Sequence, residues 1–408
     1  MKNLLLKTTL VSLLSSGIYA DDNAEMQALK AQLNELREIT QTLIDETSDL
    51  KTGFNYTTVD PTQSYSGLSA AASKIYYSDS PLSIGGYGEI YYADKNLEDG
   101  ASIRTLDLYR FIPYIGYKFS DNIILNTELE FEHGGVKNSD GTAEGGYVIV
   151  EFMYLDFLLN SNANIRVGHF LVPMGLINEK HEPTLFTTVQ RPSTEKYLIP
   201  STWHESGVMV YGEIMENLSY KAVAMSALET GVNGSTWIRD GRGGSFKQTN
   251  PSLAFVFRTD YTGINGLLVG LSGYYAPSYQ GSDSNMLMAD IHFDYKKDGG
   301  RLYGTYTEIS RTDAKSIATD AVKKAQGGYI NLSYDIASLG SSLNSMPLFI
   351  QYENYNPEAS RVDGVSTDAT EITTIGLNYF PHQQVVLKLD YAMQSDSDTT
   401  SISMGFIF

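Results

Sequence analysis

The sequence predicts an all-β fold: a 16-stranded antiparallel transmembrane β-barrel preceded by a short α-helical coiled coil. Three observations point there. An apolar leader opens the chain, alternating runs fill it from Leu82 to Phe408, and the connections between those runs alternate short and long.

The leader comes first. Lys2 and Lys7 precede or flank a mostly apolar stretch, Leu4 to Leu14, and Ile18-Tyr19-Ala20 places a small residue just before Asp21-Asp22. This is the layout of a secretory signal peptide, residues 1–20. It is too short and wrongly flanked for a spanning helix. Its removal leaves 27 basic against 48 acidic residues, a net charge of −21. Such an acidic balance excludes nucleic acid as a partner. The absence of cysteine excludes disulfides and thiolate metal sites. No later segment has 18 consecutive apolar residues, so no spanning helix is expected.

Residues 21–50 carry a heptad. Met26, Leu29, Leu33, Leu36, Thr40, Leu43, Thr47 and Leu50 follow one another at spacings of 3, 4, 3, 4, 3, 4 and 3. That is a coiled-coil seam, weakened by two threonines, and a lone helix this short gains too little unless it pairs with copies of itself. Residues 51–81 hold neither period. Their Gly, Ser, Thr and Asn content, with Pro61 and Pro81, predicts a linker with a short helix near Leu68 to Ile75.

Residues 82–408 form the predicted barrel. Sixteen runs stand near 82–92, 103–120, 123–133, 146–158, 164–173, 207–214, 218–229, 251–260, 264–276, 285–296, 301–311, 326–335, 346–356, 368–380, 385–394 and 400–408. Leu125, Leu129 and Phe131 oppose Asn126, Glu128, Glu130 and Glu132; Leu387, Leu389 and Tyr391 oppose Val386, Lys388 and Asp390. Runs 146–158 and 164–173 mix their faces. Short connections at 121–122, 159–163, 215–217, 261–263, 297–300 and 381–384 alternate with longer ones, the pattern of tight periplasmic turns and longer outer loops. Most runs are near the 9–11 residues a spanning strand needs and exceed the 5–6 usual in soluble sheets. The last run puts Ile402, Met404, Phe406 and Phe408 on one face, opposite Ser401, Ser403 and Gly405. An unprotected edge of that kind is an aggregation hazard in water. In a barrel it closes the ring, and the expected partner is the bilayer of the outer membrane.

A sixteen-stranded lumen is wide enough for water, so function is expected in what narrows and charges it. The longest connection, 174–206, is the third outer loop. It brings Glu179, Lys180, His181, Glu182, Arg191, Glu195, Lys196, His204 and Glu205 toward a constriction, where charges of both signs would orient dipolar solutes. A long structureless loop in a compact fold is usually functional. Glu89, Arg104, Asp107, Lys118, Glu128, Glu130, Glu132, Arg166, Lys221, Asp290, Arg301, Glu308, Glu353, Lys388 and Asp390 are the expected pore-lining charges. Acids predominate, which predicts a preference for cations or neutral solutes. No catalytic residue is expected: the chain has no G-x-S-x-G elbow and no HExxH. No cofactor is expected either, and His181 with His204 is too small a set to predict a metal site.

Several stretches resemble a known family. SIGGYGEIYY at 83–92, ELEFEH at 128–133, VGHFLVPMGLINEKHEP at 167–183 and IPSTWHESGV at 199–208 are similar to outer-membrane porins of the phosphate-selective porin O and P type, and to the related siderophore-porin (legiobactin-receptor-like) branch that shares a coiled-coil start. The resemblance implies a sixteen-stranded passive channel for small solutes or ions, with a homotrimer as the expected assembly. Phosphate selectivity would require a ladder of Arg and Lys that the sequence does not display, and residues 21–81 are too few and too polar for a separate plug domain.

Overall fold

A computed structural model of the protein describes residues 22–51, 59–135, 145–278, 281–340 and 344–408. The expected signal peptide lies outside the described residues. Two units are distinct, residues 1–57 and residues 58–408.

In the first unit, helix α1 (Asp22–Lys51) covers the predicted heptad. Leu29, Leu33 and Leu36 form an exposed apolar stripe on it. Thr40 and Thr42 donate their hydroxyls to Leu36 O (2.6 Å) and Glu38 O (2.9 Å), so both satisfy themselves on the helix rather than across a seam.

The second unit is a closed barrel of sixteen antiparallel strands. They are β1 (Leu82–Leu97), β2 (Ser102–Ser120), β3 (Ile123–Glu132), β4 (Tyr147–Phe157), β5 (Asn164–Leu171), β6 (His204–Met215), β7 (Leu218–Ser226), β8 (Leu253–Ile264), β9 (Leu267–Ala276), β10 (Asn285–Lys297), β11 (Gly300–Thr312), β12 (Val322–Asp335), β13 (Pro347–Arg361), β14 (Thr370–His382), β15 (Val385–Gln394) and β16 (Ser397–Ile407). Each strand pairs with the next, and β1 pairs with β16 from Tyr87↔Ile407 to Leu97↔Ser397. The C-terminal run thus closes the ring. All sixteen predicted runs are strands. The first hairpin extends further than its apolar run and shortens the first outer connection to 98–101.

Alternation sorts the two faces. In β3 every second residue, Ile124, Asn126, Glu128, Glu130 and Glu132, is buried inside, while Leu125, Leu129 and Phe131 turn outward. Leu271, Ile291, Leu332, Ile350, Leu389 and Ile402 belong to a belt of exposed apolar side chains around the ring. Tyr117, Tyr261 and Tyr334 sit toward its short-turn end and Tyr92 and Tyr275 toward its long-loop end, like interfacial aromatic girdles. A belt this large is untenable in water and suits lipid.

The mixed faces of run 146–158 have a physical cause. Glu128 pairs with Phe152 and Leu129 with Val150, leaving Glu151 as an extra, bulged residue. Glu151 and Phe152 are both buried inside, which breaks the period of two.

The expected linker is built into the barrel where it is described. Residues 59–80 lie against the inner wall, with Val59, Leu68, Ala70, Ala71, Ala72 and Ile75 buried. Helix α2 (Ala70–Tyr77) packs on β1, β2 and β3 near the short turns. Asn126 Nδ2 donates to Ala72 O (2.8 Å), Lys74 Nζ to Ile84 O (2.7 Å) and Lys118 Nζ to Ser78 O (2.5 Å). The segment does not make a separate plug domain, but it does plug part of the lumen. Glycine is needed where α2 meets β2: a Cβ on Gly116 would lie 2.6 Å from the Ile75 side chain. Gly116→Val therefore expels α2 at a cost of about 1–3 kcal/mol. With Ser73→Cys as the only thiol, labelling by a soluble maleimide should speed up by roughly tenfold or more in the Gly116→Val background; unchanged labelling would contradict this packing.

Candidate functional site

The third outer loop, residues 172–203 between β5 and β6, folds into the lumen. Asn178 closes its base. Its Nδ2 donates to Val172 O (2.7 Å) and Trp203 O (2.9 Å), and its Oδ1 accepts from Trp203 N (2.7 Å). Both ends of a long excursion are thereby joined at one buried amide.

Beyond that base the loop is held by wall side chains from many strands. Arg258 on β8 donates to Gly175 O (2.5 Å), and Gly175 N donates to Asp290 on β10 (3.1 Å). Arg301 on β11 reaches Leu185 O (2.8 Å), and Tyr303 accepts Thr187 N (3.1 Å). Lys388 on β15 donates to Phe186 O and Thr188 O, both 2.9 Å, while Asp390 accepts Val189 N (2.6 Å). Glu353 on β13 accepts Thr194 N (3.1 Å). The loop carries few regular backbone hydrogen bonds of its own, so the wall satisfies its polar groups. Gly175 has φ +68°, and a Cβ there would meet Glu195 Oε2 at 2.5 Å. Only glycine lets the chain turn at that point.

Many of the buried charges are paired. Glu179 of the loop binds Lys221 on β7 (2.6 Å). Arg110 joins Glu89 (3.1 Å) and donates to His181 O (3.0 Å). Arg166 joins Asp156 (2.8 Å). Glu195 accepts from Leu176 N (2.9 Å) and the Thr305 hydroxyl (3.0 Å). Burial pushes the Glu182 carboxyl up to about 7 from an ordinary 4.5, against the lowering pull of the Ser69 hydroxyl and the Ala71 and Ala72 N–H groups at the first turn of α2. Ser69 N, at the start of α2, donates to Glu179 O (3.3 Å), so loop and inserted helix hold each other. Burial, then the neighbouring Arg239 and Arg191, lower Lys196 to about 8. Arg239 and Arg242 come from the fourth outer loop and donate to Lys196 O (3.1 Å) and Thr202 O (2.7 Å). Arg191, Lys196, Arg239 and Arg242 form a basic cluster, and Glu130 and Glu151 lie within the electrostatic reach of Arg242. Charges of opposite sign thus face each other from loops and wall.

Two polar cavities flank the loop. One, of about 170 Å³, lies between loop residues Thr188–Ser193 and strands β13 to β16, lined by Thr374, Ser397, Thr399, Ser401, Glu353 and Asp390. The other, of about 370 Å³, lies toward the short turns and is lined by Lys180, Asp294, Lys296, Arg301 and residues of the 61–70 segment.

Most of the predicted site residues come together here. Glu179, Lys180, His181, Glu182, Arg191, Glu195 and Lys196 lie in the inserted loop; Glu89, Lys118, Glu128, Glu130, Glu132, Arg166, Lys221, Asp290, Arg301, Glu353, Lys388 and Asp390 face the interior. Asp107 sits at the rim beside His133 (2.7 Å). Three expectations are corrected. Arg104 shares the outward face with Tyr92 and Leu106, paired to Asp94 (3.0 Å), because a bulge between Glu89 and Tyr91 reverses the phase of β2. Glu308 also faces out, near Lys324 (3.9 Å), since Tyr303, Thr305, Thr307 and Ile309 take the inner positions of β11. His204 is not in the loop but opens β6, in register with Leu171 and on the face of Val208; it bonds His169 (2.7 Å) beneath Phe246 of the fourth loop. Glu205 is the next strand residue and accepts from Ser226 (2.6 Å) and Ser245 (2.8 Å).

Sequence reasoning missed Arg258, Asp260, Asn178 and Glu151. Arg258 and Asp260 were discoverable: Phe255 and Phe257 point outward on β8, which places Arg258 inside. Asn178 and Glu151 carry no such signal.

No family model matches the chain. An uncharacterized protein of Aquifex aeolicus strain VF5 is 34% identical over 357 residues, which cover 82% of this chain and 80% of the relative. Among solved structures, Pseudomonas putida OprB at high pH aligns with a TM-score of 0.56 at 8% identity, covering 86% of this chain and all of that one. Salmonella typhi OmpF in complex with daunomycin aligns at 0.55 and 11%, covering 80% and 97%. The outer-membrane channel DcaP of Acinetobacter baumannii aligns at 0.53 and 10%, covering 80% and 97%. At these identities the likeness is one of fold.

The Glu182 contact is testable. An acid whose value is raised in the folded state stabilises that state fully below its ordinary value and loses the contribution as pH rises through about 7. Glu182→Gln stays neutral, so its thermal midpoint in detergent should gain on wild type between pH 5 and pH 8, by up to about 3 kcal/mol. Parallel pH profiles would refute the rise that burial imposes on Glu182. On the strength of the long, one-third-identical alignment, the chain belongs to the family of the Aquifex aeolicus protein, and its closed sixteen-stranded barrel is of the outer-membrane kind.

Proposed function

We propose that this protein is a passive outer-membrane channel for small hydrophilic solutes and ions, with the third outer loop as its filter. The observation that carries the reading is the inserted loop itself, held to the far wall by Arg301, Lys388, Asp390 and Glu353 and flanked by hydroxyl-lined cavities. Solutes pass between residues 188–193 and the inner faces of β13 to β16, then through the cavity beside Lys180 and Arg301. A path bordered by Ser and Thr hydroxyls replaces part of a hydration shell without trapping one ion. The chain's net charge of −19 supports passage of cations and neutral solutes over anions.

Planar-bilayer recordings and liposome swelling test this. The wild type should conduct weakly, with a reversal potential favouring cations and graded entry by solute size. Deleting residues 186–190 should raise unit conductance at least about twofold and flatten selectivity. Clear anion selectivity in the wild type would overturn the ionic part, and absence of any conductance in both proteins the whole.

A second reading is a ligand-specific uptake channel for a phosphate-like solute or an iron–siderophore complex, as the resemblance to phosphate-selective and siderophore porins implies. The cluster of Arg191, Lys196, Arg239 and Arg242 beside the filter favours it. One saturable ligand with sharp discrimination, rather than graded entry, would select this reading.

The exposed leucine stripe of α1 supports self-association of the chain as a trimer; a Vibrio cholerae OmpT structure of this fold is described as a trimer form. Leu33→Asp should lower the trimer fraction on cross-linking severalfold without changing unit conductance. A third role, α1 as an envelope tether, predicts that deleting residues 21–50 leaves conductance intact and loosens the envelope.

A further inference from the structure

Three acceptor groups converge at one point in the barrel interior with no donor among them. Glu128 on β3, Glu151 at the β4 bulge and His181 in the inserted loop are all buried, none more than 2% exposed. His181 Nε2 lies 3.7 Å from Glu128 Oε1 and 3.8 Å from Glu151 Oε1. Neither Nε2 nor any of the four carboxylate oxygens has a hydrogen-bond partner, although the Thr202 hydroxyl lies beside Glu151. Of the guanidinium groups that act on Glu151, Arg191 donates to the Tyr109 hydroxyl (3.2 Å) and Arg110 joins Glu89 (3.1 Å).

The histidine tautomer follows from its other nitrogen. Nδ1 is 2.8 Å from Asn178 O, a carbonyl that can only accept, so Nδ1 carries the proton. At 3.7 and 3.8 Å, Nε2 is beyond hydrogen-bond reach of either carboxylate and donates to neither. Nε2 therefore presents a lone pair to two carboxylates. Leaving two carboxylates buried without a cation is costly. An imidazole whose far nitrogen donates to a backbone carbonyl is the usual arrangement of a metal-bound histidine.

We propose that Glu128, Glu151 and His181 form a binding site for one divalent transition-metal ion of the zinc, manganese or ferrous class. One imidazole and two carboxylates suit these ions better than calcium or magnesium, which take oxygen ligands. An ion about 2.1 Å from two ligand atoms holds them about 3.0–3.6 Å apart. The two histidine–carboxylate separations close around it with shifts of a few tenths of an ångström, and the three ligand atoms all lie within 4.8 Å of one another. The bulge has a purpose on this account: the extra residue turns Glu151 inward next to Glu128, where strict alternation would point it at lipid. Because two ligands belong to the wall and one to the inserted loop, the ion would staple the filter to β3 and β4. The alternative occupant of the gap is a proton shared by the two carboxylates.

The test needs no knowledge of transport, so its failure is separable from that of the channel. The full chain is refolded in detergent with zinc or manganese chloride, passed through a chelating column and assayed for bound metal. Folding is monitored by heat-modifiable migration. The wild type should retain one ion per chain, and its thermal midpoint should rise with metal and fall again after prolonged chelation. Glu151→Gln, which removes a buried charge at nearly constant volume, and His181→Gln, which is close in volume and adds no charge, should fold and retain at least about fivefold less. A folded wild-type barrel without stoichiometric metal under either loading would overturn the site and favour the shared proton. So would undiminished binding in both folded variants.

Discussion

Within a bilayer no water reaches the backbone, so each peptide group of a spanning segment must be bonded inside the protein. The pairing of β1 with β16 meets that demand for the last open edge. The rest of the molecule follows from it. A closed ring has one lipid face and one internal face, and the period of two hands every other side chain to each. The apolar belt is what the first face can carry, and the second is free to hold charge.

That inner charge then dictates what fills the lumen. A buried ion must find a partner or be neutralised. Here Arg301, Lys388, Asp390, Glu353 and Arg258 find theirs in the peptide groups of the third outer loop. The loop has little secondary structure to satisfy those groups itself. Wall and loop are complementary in the strict sense that each leaves the other's groups unsatisfied without it. The segment 59–80 uses the same logic, with its own carbonyls received by Asn126 and Lys118.

The strands were legible because lipid and lumen impose opposite polarity on neighbours, and that contrast is written residue by residue. It failed where the backbone left the period. The bulge at Glu151 made β4 unreadable, and the bulge beside Glu89 turned Arg104 outward although its parity with Arg110 placed it inside. It failed again at the rim, where Glu308 stands beyond the belt and an outward charge carries no penalty. His204 was grouped with the loop because its strand begins three residues earlier than the alternation indicates. Residues 59–80 read as linker because their burial relies on small residues, Ala70, Ala71 and Ala72, whose mean polarity says nothing about a barrel around them.

From its residues alone this chain determined the all-β class, the strand number, the outward face of nearly every strand and the position of its longest loop. These depend on contacts with solvent or lipid, which each residue makes on its own account. Only the tertiary structure decided which wall charge meets which loop atom, that the 59–80 segment enters the lumen, and that Glu128, Glu151 and His181 meet. Those are encounters between groups far apart in the chain, set by register and bulges that closure of the ring imposes and that no local pattern encodes.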